Sequence, residues 1–238
     1  ADFFSAELFK KRFGNQKAKV ITSFSMFYDL DNPCEFALQV KECLKGDGIW
    51  VLEQSYMPEM LRANSFDTVC HEHLSYYGMR QLKYIMDKAG LNILDFEFND
   101  VNGGSISMVV SPSGQECTTK LSGIIGLELE DKLDTIKPWE EFAARMTDNN
   151  HKFLKIVRDL RDEGYKVAGL GASTKGNVTL QTWGITPNDI LAVGDVNPDK
   201  HGSLTPGTWI PIKNEDEVLV YYDAFVILPW HFKKFFVN

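Results

Sequence analysis

Apolar and polar positions along this chain follow two alternating rhythms. Residues 17–25 (KAKVITSFS) form a β-branched apolar run, which predicts a buried strand. Asp31-Asn32-Pro33 then predicts a helix start, with Asn32 or Asp31 at the N-cap and Pro33 in the first helical position. Phe36, Val40, Cys43 and Leu44 make one stripe at helical spacing, and Gly46-Asp47-Gly48 predicts the end of that helix. Ile49-Trp50-Val51-Leu52 predicts a second buried strand, closing on Glu53. Strand, helix and strand with short connections make a βαβ unit, so a parallel sheet is expected.

Residues 53–66 read as a loop with one helical turn at 59–61. Residues 81–89 predict a helix with Leu82, Ile85 and Met86 on one face, stopped by Gly90. Residues 91–98 alternate as a strand, Asn102-Gly103-Gly104 marks a turn, and 105–110 follow as its antiparallel partner. Ser111-Pro112-Ser113-Gly114 predicts the boundary, dividing the chain into 1–111 and 112–238. Residues 118–162 are helical and charged, with Trp139, Phe142, Met146, Phe153, Val157 and Leu160 among the apolar positions of a long helix. Predicted strands at 165–171, 190–194 and 224–228, with a helix at 173–182, give the second part a Rossmann-like rhythm. The expected class is α/β, with two α/β domains.

Composition adds little beyond an ordinary globular chain: 238 residues, 44% hydrophobic and 24% charged. Net charge changes the picture more. At −8 it argues against nucleic acid or an anionic membrane surface as a partner, while leaving room for a local basic pocket for phosphate. Cys34, Cys43, Cys70 and Cys117 show no Cys-x-x-Cys spacing, so no zinc site or redox pair is expected. With no long apolar run and no signal peptide, a soluble cytoplasmic protein is expected.

Two constellations carry candidate chemistry. The first is Cys70-His71-Glu72-His73-Leu74-Ser75-Tyr76-Tyr77, which packs two imidazoles, a carboxylate and two phenols into eight residues. A carboxylate beside an imidazole holds its tautomer and raises its basicity, as a general base near neutral pH requires. A metal site needs a third ligand, which His-x-His alone does not supply. The residues themselves leave open a base, a metal ligand or two incidental histidines.

The second is Gly169-Leu170-Gly171-Ala172-Ser173-Thr174-Lys175-Gly176-Asn177, between a predicted strand and a predicted helix. Glycines let the backbone approach an anion, a helix N-terminus offers N–H groups, and Ser173 and Lys175 add donors. The loop matches neither the Walker A pattern nor Gly-x-Gly-x-x-Gly. Asp195 ends the next predicted strand, where an acid binds ribose in dinucleotide folds. Phosphate, a nucleotide diphosphate or NAD are the ligands to weigh, against a tight turn that simply needs small residues.

Taken in order, residues 66–76, Val101-Asn102-Gly103-Gly104-Ser105, residues 169–177, residues 195–200, residues 205–212 and Pro229-Trp230-His231 resemble the S-adenosylmethionine-dependent sugar C-methyltransferases acting on nucleotide-linked keto sugars. The resemblance covers nearly the whole chain. It implies a partial class I methyltransferase sheet followed by a second Rossmann-like domain that binds substrate. It further implies His73 as the catalytic base with Glu72 beside it, abstracting a proton next to a ketone to give an enolate. Cys70, Tyr76, Gly171, Ser173, Lys175 and Asp195 would bind the nucleotide sugar. Residues 23–29 resemble the end of the fourth strand of the methyltransferase sheet, which places Ser23, Ser25 and Met26 near the cofactor. His71 then becomes a structural residue, and no metal is implied.

The sequence also departs from that family. Its amino-terminal zinc module and glycine-rich cofactor loop have no counterpart here, and residues 2–5 look like a segment well past that loop. The chain is therefore expected to be a fragment or a shortened form that lacks the main S-adenosylmethionine contacts. Cys70 stands where antibiotic-sugar members have Tyr, and Ser25 and Asp29 stand where they have Asn and His. The other readings are a module binding NAD or a nucleotide sugar through residues 165–231, and a non-catalytic paralogue.

Overall fold

The structure, a computed structural model, describes residues 3–232. Asp2 of the resembling segment and the outer ends of both expected domains lie outside the described residues. The chain packs as two compact units. The first takes the described residues up to Ala63 together with His71–Glu140, and the second takes Asn64–Cys70 together with the residues from Glu141 on. The division at 111–112 expected from Pro112 and Gly114 is not where packing separates the units. Residues that follow Gly114 build α5 (Thr118–Glu130), whose Leu121 sits in the first core.

In the first unit Ser5 caps α1 (Ala6–Phe13), its Oγ accepting from Leu8 N–H at 3.1 Å. β1 (Ala18–Phe24) leads to α2 (Pro33–Cys43), capped by Asn32 Oδ1, which accepts from Glu35 N–H at 3.1 Å, with Pro33 at its start. β2 (Leu44–Ser55) begins as soon as α2 ends. It runs straight through Gly46-Asp47-Gly48, which local propensity reads as a stop. Gly48 explains the difference: a Cβ there would lie 3.0 Å from the Ala18 carbonyl oxygen, so only glycine lets β2 close on β1.

α3 (Met57–Ala63) and α4 (Met79–Ala89) follow, and Gly90 ends α4 in the left-handed conformation with φ 63°. β3 (Asn92–Asn99) and β4 (Ser105–Ser111) form the expected antiparallel hairpin. The sheet order is β1-β2-β4-β3, with β1 parallel to β2 and the other pairs antiparallel. Trp50, Leu52, Ile93, Met108 and Val110 pack with Ala37 and Val40 of α2 and with Leu82, Ile85 and Met86 of α4. Each such aliphatic side chain contributes about 1.5–3 kcal/mol when fully buried. The carboxylate of Glu128, on α5, ties this layer together. It accepts from Tyr56 Oη at 2.6 Å, Met79 N–H at 2.5 Å and Arg80 N–H at 3.2 Å, the last two at the start of α4.

α6 (Lys137–Asp162) leads into the second unit. There β5 (Val167–Leu170), α7 (Thr174–Thr182), β6 (Val193–Asp195), β7 (Ile212–Asn214), α8 (Glu215–Tyr221) and β8 (Ala224–Ile227) form a parallel sheet of order β7-β6-β5-β8. Val167, Val193 and Leu228 pack with Leu180 of α7, while Ala168, Leu170 and Ala192 pack with Val218 of α8. An all-parallel sheet needs cover on both faces, and these two helices supply it. α1, β7 and α8 are elements the hydrophobic pattern did not mark.

Candidate functional site

The stretch 64–77 is shared between the units, with Asn64–Cys70 in the second and His71–Tyr77 in the first. The structure therefore builds two groups of candidate residues, and each is described within its own unit.

In the first unit the carboxyl ends of β1 and β2 meet. Ser25 follows β1 with φ 51°, a left-handed conformation that a non-glycine residue adopts at a cost. Its N–H donates to the Glu53 carbonyl at 2.8 Å, and its Oγ accepts from Asn102 Nδ2 at 3.3 Å. Asn102 itself has φ 53°. Glu53 Oε2 in turn accepts from Asn99 Nδ2 at 2.8 Å. Two residues in the left-handed region thus hold each other at one strand end.

The short helical turn Phe27–Asp29 comes next, with Phe27 and Tyr28 buried. The Tyr28 carbonyl accepts from the N–H groups of both Leu74 (3.0 Å) and Ser75 (3.1 Å), and the Tyr28 and His73 rings pack 4.3 Å apart. These contacts clamp the His-rich loop onto the 27–29 turn. His73 is half-buried, whereas His71 and Glu72 are exposed, with Glu72 Oε1 3.9 Å from His71 Nε2. Protein around the Asp29 carboxyl displaces water and raises its pKa; His73 opposes that rise and Glu72 adds to it. Asp29 keeps solvent access, so the shift is screened. Tyr76 packs edge-on against Trp139 at 5.8 Å.

The three residues expected near the cofactor differ in availability. Ser23 Oγ accepts from Trp50 Nε1 at 2.9 Å, and Met26 packs against the core. Ser25 stands at the strand end, half-buried, with its N–H bonded to Glu53 and its Oγ to Asn102.

In the second unit Gly171 has φ 85°, and a Cβ there would meet Pro229 Cδ at 2.8 Å. A Cβ on Gly176 would meet the Gly171 carbonyl oxygen at 2.9 Å. Both glycines are therefore required by the turn itself. Ser173 caps α7, its Oγ accepting from Gly176 N–H at 3.0 Å.

Asp195 is buried and engaged by its own chain. Oδ2 accepts from Ala172 N–H (2.8 Å) and Lys200 Nζ (3.0 Å), and Oδ1 accepts from Asn197 N–H (2.8 Å). Lys200 Nζ also donates to the Ala172 carbonyl at 3.0 Å. Burial pushes the Asp195 carboxyl up, but hydrogen bonds from Asn197 and Lys200, the Lys200 charge and the Ala172 N–H together hold it below its usual value. Asp195 thus binds the glycine loop to the next strand through both of its oxygens.

Beside this loop stand Asp67, Cys70, Lys175, Trp230 and His231. Burial lowers the Lys175 pKa, with Asp67 and Cys70 opposing. Burial also lowers that of His231, joined by the Lys175 charge and opposed by Asp67. Asp67 Oδ2 accepts from Trp230 Nε1 at 3.1 Å. A cavity of about 170 Å³ opens here, lined by Phe66, Asp67, Phe153, Thr179, Trp183 and Trp230 with the end of β8. Sequence reasoning missed the parts played by Asp29, Asp67 and Lys200. All three lay inside stretches it had singled out; the partners of Asp29 and Asp67 are distant in sequence, and Lys200 joins Asp195, five residues before it, to the distant Ala172 carbonyl. Among the described residues no group of three or more His, Cys, Asp or Glu side chains is placed to hold a metal ion.

Comparison with known proteins adds five findings. The chain is 28% identical over 218 residues to the C-methyltransferase NovU of Streptomyces niveus, covering 90% of this chain and 52% of that protein. It therefore spans about half the length of the curated relative it matches. Among solved structures, an S-adenosylmethionine-dependent methyltransferase from Clostridium acetobutylicum aligns over 42% of this chain and 60% of that one, at 15% identity and TM-score 0.35. An O-methyltransferase family protein from Burkholderia thailandensis aligns over 48% of this chain and 35% of that one, at 12% identity and TM-score 0.35. A methyltransferase domain model matches residues 2–95. With the C-methyltransferase C-terminal domain model matching residues 100–238, more than half of the sequence, the chain belongs to the C-methyltransferase C-terminal domain family.

Proposed function

We propose that this protein works as an S-adenosylmethionine-dependent C-methyltransferase on a nucleotide-linked keto sugar. The observation that carries this reading is the clamped, half-buried His73, with carboxylates nearby, in a chain of the C-methyltransferase C-terminal domain family. His73 removes the proton from the carbon next to the ketone, with Glu72 beside it favouring the protonated ring, and the substrate becomes an enolate. S-adenosylmethionine supplies the methyl group, and Ser25 is the residue of this chain nearest in kind to such a contact. In the second unit, the start of α7 and the Lys175 ammonium suit a nucleotide diphosphate, since helix N-termini and a cation both favour anions. Gly171 and Ser173 shape that loop, and Cys70 lies beside Lys175.

The small-molecule reading agrees with the acidic charge, which disfavours nucleic acid. No described helix is long and apolar enough to cross a membrane. The four cysteines are free, which suits a reducing compartment such as the cytoplasm. The test is deuterium exchange at the carbon next to the ketone, in the intact protein with a nucleotide-linked keto sugar, alongside methyl transfer. His73→Asn is expected to lower both by about 10²-fold or more. Exchange at the wild-type rate in that variant rejects His73 as the base.

A further inference from the structure

We propose that Asp29 is the positioning carboxylate of His73, holding the imidazole in orientation and stabilising it once it carries the abstracted proton. This rests on the reading of His73 as a base. Asp29 ends a turn whose preceding residues, Phe27 and Tyr28, are buried in the first core. The loop carrying His73 is bound to that turn by two backbone hydrogen bonds onto the Tyr28 carbonyl, and the Tyr28 and His73 rings pack 4.3 Å apart. Turn and imidazole therefore keep one geometry, and Asp29 is next in sequence to the ring that His73 packs against.

Glu72 lacks that support. Both carboxylates are exposed, but Glu72 lies on the loop and not on the turn, and its carboxylate also lies 3.9 Å from His71 Nε2. A carboxylate that orients a base must itself be held, and the 27–29 turn is the held element. The charged groups acting on Asp29 are His73 and Glu72, of opposite sign. The effect of His73 on Asp29 is reciprocal, because each proton binding changes the other by the same free energy. The proton taken from the substrate carbon stays on the ring as an imidazolium, whose charge Asp29 stabilises until solvent removes the proton. Asp29 then needs no proton of its own.

The experiment is a histidine NMR titration of this chain, with His73→Gln, in which one signal disappears, used to assign the His73 signal. Asp29→Asn is expected to lower the His73 pKa by roughly half a unit to one unit, and Asp29→Glu to restore most of it. The reciprocal measurement guards against a variant that does not fold: in His73→Gln, the Asp29 carboxyl should titrate at higher pH than in the unsubstituted chain. An unchanged His73 pKa in folded Asp29→Asn, or an unchanged Asp29 titration in His73→Gln, overturns the proposal. In the intact enzyme, the acid limb of the kcat/KM profile should move to lower pH in Asp29→Asn while KM changes little. The titrations decide the pairing even if no variant transfers methyl, so failure of the pairing and failure of the methyltransferase reading are distinguishable.

Discussion

The indole Nε1–H of Trp230 donates to the Asp67 carboxylate across 3.1 Å, joining the segment beyond β8 to the turn Phe66–Thr68 within the second unit. Asp67 is 2% exposed, and its other oxygen has no hydrogen-bond partner among the described residues. Trp230→Phe keeps most of the ring and removes the donor. Leaving a buried carboxylate oxygen without that bond should cost about 1–3 kcal/mol. Urea denaturation of the variant checks it, with the midpoint lowered and the slope unchanged.

Asp195→Asn should destabilise the second unit at neutral pH by roughly 1–3 kcal/mol, since the carboxylate receives two backbone N–H groups and Lys200. The sign with pH follows from its lowered pKa. The folded value lies below the unfolded one, near 3.9, so the contribution is whole above about pH 5 and is lost as pH falls through the folded value. Thermal melts of both forms should therefore converge in acid and separate toward neutrality.

Glu128→Ala removes the acceptor shared by Tyr56 Oη and the first N–H groups of α4. Burial, then the hydrogen bond to Glu128, raises the Tyr56 phenol well above its ordinary value, so it remains a donor at any working pH. With its acceptor gone, a buried hydroxyl and a helix start are both left unmatched. A loss of about 3 kcal/mol is expected, with Glu128→Gln between the two, measured by chemical denaturation.

Gly171→Ala and Gly184→Ala make a matched pair. Both positions have positive φ, 85° and 62°, but a Cβ at 184 meets nothing within 4 Å, while one at 171 meets Pro229. Gly184→Ala should cost only the backbone strain, about 1 kcal/mol. Gly171→Ala should cost more by the price of moving Pro229, and calorimetry on both variants isolates that difference.

Lys175→Met tests the loop as an anion site. Burial lowers the Lys175 pKa, and a bound diphosphate would restore it. Calorimetric titration with a nucleoside diphosphate should show affinity reduced about tenfold or more in the variant, a loss of roughly 1.4 kcal/mol or greater.

Local pattern made the helices and the hairpin legible. Asn32 and Pro33 announced α2, Gly90 closed α4, and alternation marked β3. The pattern failed where the partner was remote. Glycines 46 and 48 read as a stop because the pairing of β2 with β1, whose backbone Gly48 accommodates, is invisible to local pattern. α8 did carry a signal, Asn214 capping three acidic residues in the first turn, but it is short and has one buried residue. In the candidate sites, sequence named His73, Lys175 and Asp195 without showing what their atoms touch. Asp195 shows the gap. Its place at the end of β6 suggested a ligand contact, and only the fold reveals that Ala172, Asn197 and Lys200 occupy its oxygens.

The placement of β2 bears on the order of assembly. It is 12 residues long, with β1 parallel on one edge and β4 antiparallel on the other. The β3–β4 hairpin joins strands that are neighbours in sequence, whereas β2 needs pairing from both sides, one of them remote in sequence. Loss of either edge would therefore disturb the strand ends where the Ser25 N–H meets the Glu53 carbonyl.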